Sequence, residues 1–192
     1  MLKLAVLVSG GGTNLQAIID ALEKDAFAAI ELVISSSNKA YALQRAKNHN
    51  IESKVIRRRD FSDDILFDTA IIDALESKCV DLVVLAGYLP LLSHRVVSAF
   101  PDRIINVHPS LIPSFCGHGY YGLKVHEAAL ARGVKITGAT VHFVDEGADT
   151  GKIIMQKAVD VMPDDTPETL QRRVMTEAEH IILPLAIKYI LN

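Results

Sequence analysis

The sequence predicts an α/β fold built on a mostly parallel open sheet with helices on both faces, and three observations carry that expectation. Short apolar runs alternate with helix-period segments for most of the 192 residues, the pattern of a doubly wound sheet. The early runs, such as Leu4-Ala5-Val6-Leu7-Val8, are continuously apolar, as parallel strands buried on both faces should be. The last two strand candidates are separated only by the turn from Asp145 to Lys152. That connection suits an antiparallel pair.

In chain order, Leu2–Val8 is the first strand, and the glycines at 10–12 turn it into a helix over Asn14–Lys24. A second strand at Ile30–Ser35 is followed by a helix over Ala40–His49 and a short strand at Lys54–Ile56. The helix expected over Asp63–Lys78 carries Leu66, Ala70, Ile71, Ala74 and Leu75, the 3.6-residue period of a helix covering a sheet. Leu82–Leu85 is the fourth strand and Ser93–Ala99 a short helix. Arg103-Ile104-Ile105 leads into a buried strand at Ile104–Val107, which Pro109 closes because proline cannot donate to a following ladder. A helix over Leu123–Ala131 precedes the final strands, Ile136–Phe143 and Ile153–Val159, and one long helix, Pro167–Leu191, follows them. At this length one domain over residues 1–192 is the simplest organisation, large enough for a substantial core.

Composition narrows the function. Hydrophobic residues make up 49% and charged residues 22%, ordinary for a soluble globular chain. A net charge of −3 and a pI near 6.1 argue against a nucleic-acid partner, which would ask for a basic surplus. Small anionic ligands stay open, since local backbone amides bind them whatever the global charge. Cys79 and Cys116 give no disulfide framework and fit a reducing compartment. The N-terminus lacks the longer apolar region and cleavage site of a signal peptide, and no apolar stretch approaches the ~18 residues of a membrane span. The expectation is a cytoplasmic protein with no membrane partner.

In doubly wound sheets ligands bind beyond the carboxyl ends of the strands, so four punctuated segments should gather there: Ser9–Asn14, Gly87–Leu92, Asn106–Gly122 and Val144–Thr150. Ser9-Gly10-Gly11-Gly12-Thr13-Asn14-Leu15 opens the first helix, whose start offers unpaired N–H groups to a phosphate. It is neither the G-x-G-x-x-G fingerprint nor a triphosphate loop, so one phosphate, or a mere tight turn, is the reading. Gly87-Tyr88-Leu89-Pro90-Leu91-Leu92 is apolar where a loop should be polar. It packs under a helix or walls a flat ligand whose polar edge meets the backbone of Leu89 to Leu92. His108 to Gly122 is long and aperiodic, which in a compact domain usually marks function.

Asn106 and His108 stand two apart, so their side chains leave the same strand face. An amide donor beside a group that titrates near pH 7 suits acyl chemistry, where an oxyanion is held while a proton moves. Asp149 either closes a solvated turn with Asp145 and Glu146, or lies beside His108 and favours its charged form. His142 reads equally as a core histidine or as support for that group. Arg57-Arg58-Arg59 is offset by Asp60, Asp63 and Asp64 and reads as a solvated loop. Glu177, Glu179 and His180 read as exposed on the last helix, with a ligand-facing position for one of them as the alternative. His108, Cys116, His118 and Asp149 lack zinc-ligand spacing, so no metal is expected.

Taken together, these segments resemble the phosphoribosylglycinamide formyltransferases over nearly the whole chain. The matching pieces are Ser9-Gly10-Gly11-Gly12-Thr13-Asn14-Leu15-Gln16-Ala17-Ile18, Val84-Leu85-Ala86-Gly87-Tyr88 and Asn106-Val107-His108-Pro109-Ser110-Leu111-Ile112-Pro113. Thr140-Val141-His142-Phe143-Val144-Asp145-Glu146, Asp149 and Glu179-His180 complete them. The resemblance implies a single Rossmann-like formyltransferase domain with a seven-stranded sheet. It implies transfer of a formyl group from 10-formyltetrahydrofolate to the amine of glycinamide ribonucleotide, in purine biosynthesis. Asn106, His108 and Asp149 match the family's catalytic set, Asp149 keeping His108 protonated. Gly12, Thr13 and Asn14 match its substrate-phosphate loop, Glu179 a substrate contact, and Leu89, Pro90, Leu91 and Leu92, with Asn106, its folate site. Two stretches depart from the family pattern: the segment Ser114–Gly122 replaces a short Pro-Gly turn, and Asp64 stands where a basic residue is common. The neighbouring methionyl-tRNA formyltransferases and formyltetrahydrofolate deformylases carry extra domains for which this length leaves no room. A non-catalytic nucleotide-binding module, the reading from a different class, would have no use for the trio.

Overall fold

The computed structural model describes residues 1–190, so Leu191, the expected end of the last helix, lies outside the described residues. The chain forms two compact units, Met1–Ile105 and the residues from Asn106 onward. Seven strands form, and the α/β class with a mostly parallel sheet and an antiparallel last pair stands.

In the first unit, β1 (Leu2–Val8) lies between β2 (Ala28–Ser35) and β4 (Leu82–Leu85), and β3 (Ser53–Val55) adds to the far side of β2. All three pairings are parallel, with Val6 opposite both Val33 and Val84. Leu4 to Val8 are fully buried, which is why this run is apolar at every position rather than at alternate ones. The helices between strands are α1 (Thr13–Lys24), α2 (Ala42–Asn48) and α3 (Asp64–Glu76), followed by α4 (His94–Ala99). Side-chain caps start two of them: Asp63 accepts from the Leu66 N–H, and Ser93 from the Val96 N–H.

The strand order 3-2-1-4 reverses direction at β1, since β2 and β3 build outward on one side and β4 on the other. Right-handed crossovers then put α1 and α2 on one face and α3 on the opposite one. The contacts agree, because α1 packs with α2, and α3 with α4. The reversal opens a crevice between the carboxyl ends of β1 and β4, the place where such sheets take ligands. The glycine segment and the apolar segment leave those two ends.

β5 (Ile104–His108) begins in the first unit and ends in the second. The second unit holds α5 (Leu123–Arg132), the antiparallel pair β6 (Ile136–Phe143) and β7 (Ile153–Asp160), and the helices that follow. The expected single helix over 167–191 is α6 (Pro167–Val174), a π-helical segment at Met175–Glu179 and α7 (His180–Ile190). Its buried residues explain the break: Leu170, Val174, Ala178, Ile182 and Ala186 recur every four residues. In an α-helix such a stripe drifts by about 40° per step, and the wider π turn takes up part of that drift. Other strand and helix edges differ from expectation by one or two residues, and a 3-10 turn at Arg58–Asp60 occupies the arginine run. There Arg57 forks onto Asp60 at 2.6 and 2.8 Å, and Arg58 pairs with Asp64.

Candidate active site

β5 delivers Asn106 and His108, alternate residues of one strand, to the same face. The chain beyond them is tied to the hairpin. Thr140 Oγ1 donates to the Ser110 carbonyl at 2.6 Å and accepts from the Ile112 N–H at 3.1 Å. Gln156 Nε2 donates to both the Ile112 carbonyl and Thr140 Oγ1. The turn between β6 and β7 is held by Asp145, whose Oδ1 accepts from Thr150 Oγ1 at 2.5 Å and the Gly147 N–H at 3.1 Å. Position 151 in it must be glycine, because a Cβ on Gly151 would lie 1.8 Å from the Phe143 carbonyl oxygen. This turn sets Asp149 in the left-handed region, at φ +59°.

Asp149 is thereby aimed at two histidines. Its Oδ2 lies 3.5 Å from His108 Nδ1, and its Oδ1 lies 3.6 Å from His142 Nε2. The Gly117 N–H donates to Oδ2 at 2.9 Å. His108 Nε2 donates to the Phe115 carbonyl at 2.9 Å. His142 Nδ1 donates to the Phe143 carbonyl at 2.8 Å, so its Nε2 is left to accept from Asn106 Nδ2 at 3.2 Å. His142 therefore fixes the amide of Asn106, and the second Nδ2–H remains for an incoming oxygen. Of the three carboxylates in the turn, Asp145 builds it and Asp149 carries the contact to His108.

Opposing influences act on the charge of His108. Burial pushes its pKa below the ordinary histidine value, and Asp149 and the Phe115 carbonyl oppose that without overcoming it. A ring only 4% exposed loses more from desolvation than an anion 3.5 Å away returns. Burial thus opposes the charged ring, while the two acceptors it faces, the Phe115 carbonyl and the Asp149 carboxylate, support it. Asp149 sits below the usual carboxylate range although burial, its largest influence, pushes it up; His142, His108 and the Gly117 amide together outweigh that.

In the first unit, Gly12 caps α1 at φ +70° with no side-chain cap and no acidic residue in the first turn, leaving the helix dipole to an anion. Asn14 is buried and Thr13 partly so. Ser9 joins this loop to the apolar one, its Oγ accepting from the Leu89 N–H at 2.8 Å and contacting Ser36 Oγ at 2.6 Å. Leu89 and Leu91 are 64% and 69% exposed beside the buried Tyr88. The apolar loop therefore does not pack beneath a helix; it presents leucines outward. Its Leu89 amide is spent on Ser9.

Glu179, read from the sequence as exposed, is buried at the end of the π segment, while Glu177 is exposed. Two further histidines belong in the description of the second unit. The role of His142 was left open by a sequence that shows no contacts. His126, on α5, carried no motif at all, yet it is wholly buried with both ring nitrogens lacking a hydrogen-bond partner. Burial, and secondarily His108, pushes its pKa down to about 4.

An amide and an imidazole from one strand with a carboxylate from a neighbouring turn, on an α/β frame, suit group transfer of the acyl type. The profile described as formyl transferase matches residues 2–187, and the chain belongs to the formyl transferase family. The phosphoribosylglycinamide formyltransferase of Haemophilus influenzae is 44% identical over 98% of this chain and 87% of its own length. The trifunctional purine biosynthetic protein adenosine-3 of Drosophila melanogaster is 43% identical over 99% of this chain, which spans 14% of that longer protein. Among solved structures, glycinamide ribonucleotide transformylase 1 from Symbiobacterium toebii superposes with a TM-score of 0.93 at 42% identity, covering 100% of this chain and 88% of that one.

Proposed function

We propose that this enzyme transfers the formyl group of 10-formyltetrahydrofolate to the primary amine of glycinamide ribonucleotide, a step of purine biosynthesis. The observation that carries the reading is Asp149 held against His108 while His142 orients Asn106, in a member of the formyl transferase family. The amine nitrogen attacks the formyl carbon, and the carbonyl oxygen becomes a tetrahedral oxyanion. The free Nδ2–H of Asn106 stabilises that oxygen, a donor worth about 2.7–4 kcal/mol. His108 joins it once its ring is protonated and its Nε2–H turns from the Phe115 carbonyl to the oxyanion. The ring need not be charged beforehand. A developing oxyanion adds to the pull of Asp149 and offsets the desolvation that opposes the charge of His108. Collapse breaks the bond from the formyl carbon to the folate nitrogen. The proton lost by the amine ends on that nitrogen, with Asp149 assisting the transfer.

Gly12, Thr13 and Asn14 take the substrate phosphate, Glu179 contacts the glycinamide portion, and Leu89 to Leu92 with Asn106 take the pterin. The setting is cytoplasmic, as two free cysteines suit, and no described helix is long and apolar enough to cross a membrane. The test is incubation with both substrates while the folate's absorbance is followed. Formation of the deformylated folate only when glycinamide ribonucleotide is present supports the reading; its release without that amine, or no release at all, overturns it.

A further inference from the structure

We propose that Arg45, on α2, is a positioning residue for the phosphate cradle, holding the Gly10–Gly12 peptides so that their N–H groups face the substrate. The inference rests on the reading of that loop as the phosphate site. Three successive carbonyls of the loop are tied from one side. Gly10 O accepts from the Ala42 N–H at 3.1 Å, Gly11 O from Arg45 Nε at 2.9 Å, and Gly12 O from the Gln16 N–H at 2.9 Å. In a trans peptide the N–H points opposite to its carbonyl, so the amides of Gly11, Gly12 and Thr13 are turned away from those donors. A Cβ on Gly10 or Gly11 would meet nothing within 4 Å, so this part of the loop borders open space.

Arg45 does more than supply one bond. Its Nη1 donates to Gln16 Oε1 at 3.0 Å, and its guanidinium carbon lies 5.1 Å from the Tyr41 ring centroid. The planar fork thus clamps the loop to the first turn of α1, and a lysine cannot reproduce both bonds. A cation on the Gly11 carbonyl also polarises that peptide, making the Gly12 N–H a stronger donor to an anion. The closeness of α2 explains Gly12 itself, since a Cβ there would sit 2.6 Å from Ala42 Cβ.

The experiment is steady-state kinetics of Arg45→Met and Arg45→Lys, with melting temperatures, alongside Gly11→Ala. Both Arg45 variants should raise KM for glycinamide ribonucleotide about tenfold, equivalent to about 1.4 kcal/mol, leaving kcat and the folate KM near wild type. An unchanged KM in Arg45→Met, a wild-type KM in Arg45→Lys, or an equal rise in the folate KM overturns the proposal. Gly11→Ala tests the underlying reading separately, because its methyl fits sterically yet enters the open space before the loop. If Gly11→Ala raises the same KM and the Arg45 variants do not, the positioning role fails alone. If Gly11→Ala also has no effect, the loop is not the phosphate site.

Discussion

On the proposed mechanism Asn106 and His108 act late, when charge has moved onto the formyl oxygen. Replacing either by alanine should lower kcat by about 100- to 1,000-fold. His108→Ala should change neither KM by much, whereas Asn106→Ala, which also removes a pterin contact, should raise the folate KM alone. Wild-type turnover in steady-state assays of either variant would remove that residue from the mechanism. On the same mechanism Asp149 acts through the charge of His108, with a sign that the geometry sets. The carboxylate raises a pKa that burial depresses, so Asp149→Asn should drive the His108 titration to still lower pH. An NMR titration of the imidazole reads this without turnover, and an unmoved His108 would reduce Asp149 to a residue of the turn. The sequence placed Asn106 and His108 on one strand face and left Asp149 between a solvated turn and a place beside His108. The structure puts it 3.5 Å from His108, and the balance of forces there was not legible. Desolvation depends on what surrounds a side chain, and no spacing rule reports that.

At the scale of elements, legibility followed locality. Strands with a continuous apolar core, such as β1 and β4, were plain because burial on both faces leaves its mark at every position. The turn glycines were plain too, although which of them lacks room for a side chain was not. Gly151 is the clearest case: its constraint comes from the Phe143 carbonyl across the turn. Gly151→Ala must push that turn open and carry Asp149 off His108, and displacements of about 1 Å can cost about 100-fold in rate. The kinetic signature is a fall in kcat at nearly constant KM, checked against circular dichroism to confirm an intact fold. A variant with full kcat would show that Asp149 tolerates the displacement. The π segment escaped the sequence because the stripe at Leu170, Val174 and Ala178 reads as ordinary helix. Only packing of α7 against β6 and β7 selects the wider turn, and with it the buried place of Glu179.

Across the whole molecule, the groups whose pKa values the fold displaces set stability against pH. His126 titrates near 4 when folded and near 6.5 when unfolded. Its folded pKa is depressed, so its contribution is complete above about pH 6.5 and is lost as the pH falls toward 4. The linked loss is about 3 kcal/mol. His108 shifts the same way, and Asp149 and Asp165, both held below the usual carboxylate range, extend the loss to lower pH. Arg173 is the main cause for Asp165, which titrates near 2. On the alkaline side, burial and then Asp68 push Tyr88 up to about 12. A raised phenol pKa contributes stability that is complete below about pH 10 and is lost between 10 and 12, again about 3 kcal/mol. Stability measured by urea denaturation should therefore form a plateau from about pH 6.5 to 10, bounded by a drop on each side. The Tyr88 hydroxyl and both His126 nitrogens lack hydrogen-bond partners, so removing them leaves no broken pair behind. Tyr88→Phe should flatten the alkaline drop, and His126→Phe should remove its share of the acid drop and leave that of His108, Asp149 and Asp165, each without loss on the plateau. A Tyr88→Phe curve parallel to wild type from pH 8 to 11.5 would show that the phenol ionises as freely folded as unfolded. A parallel His126→Phe curve from pH 7 to 4 would show the same of the imidazole.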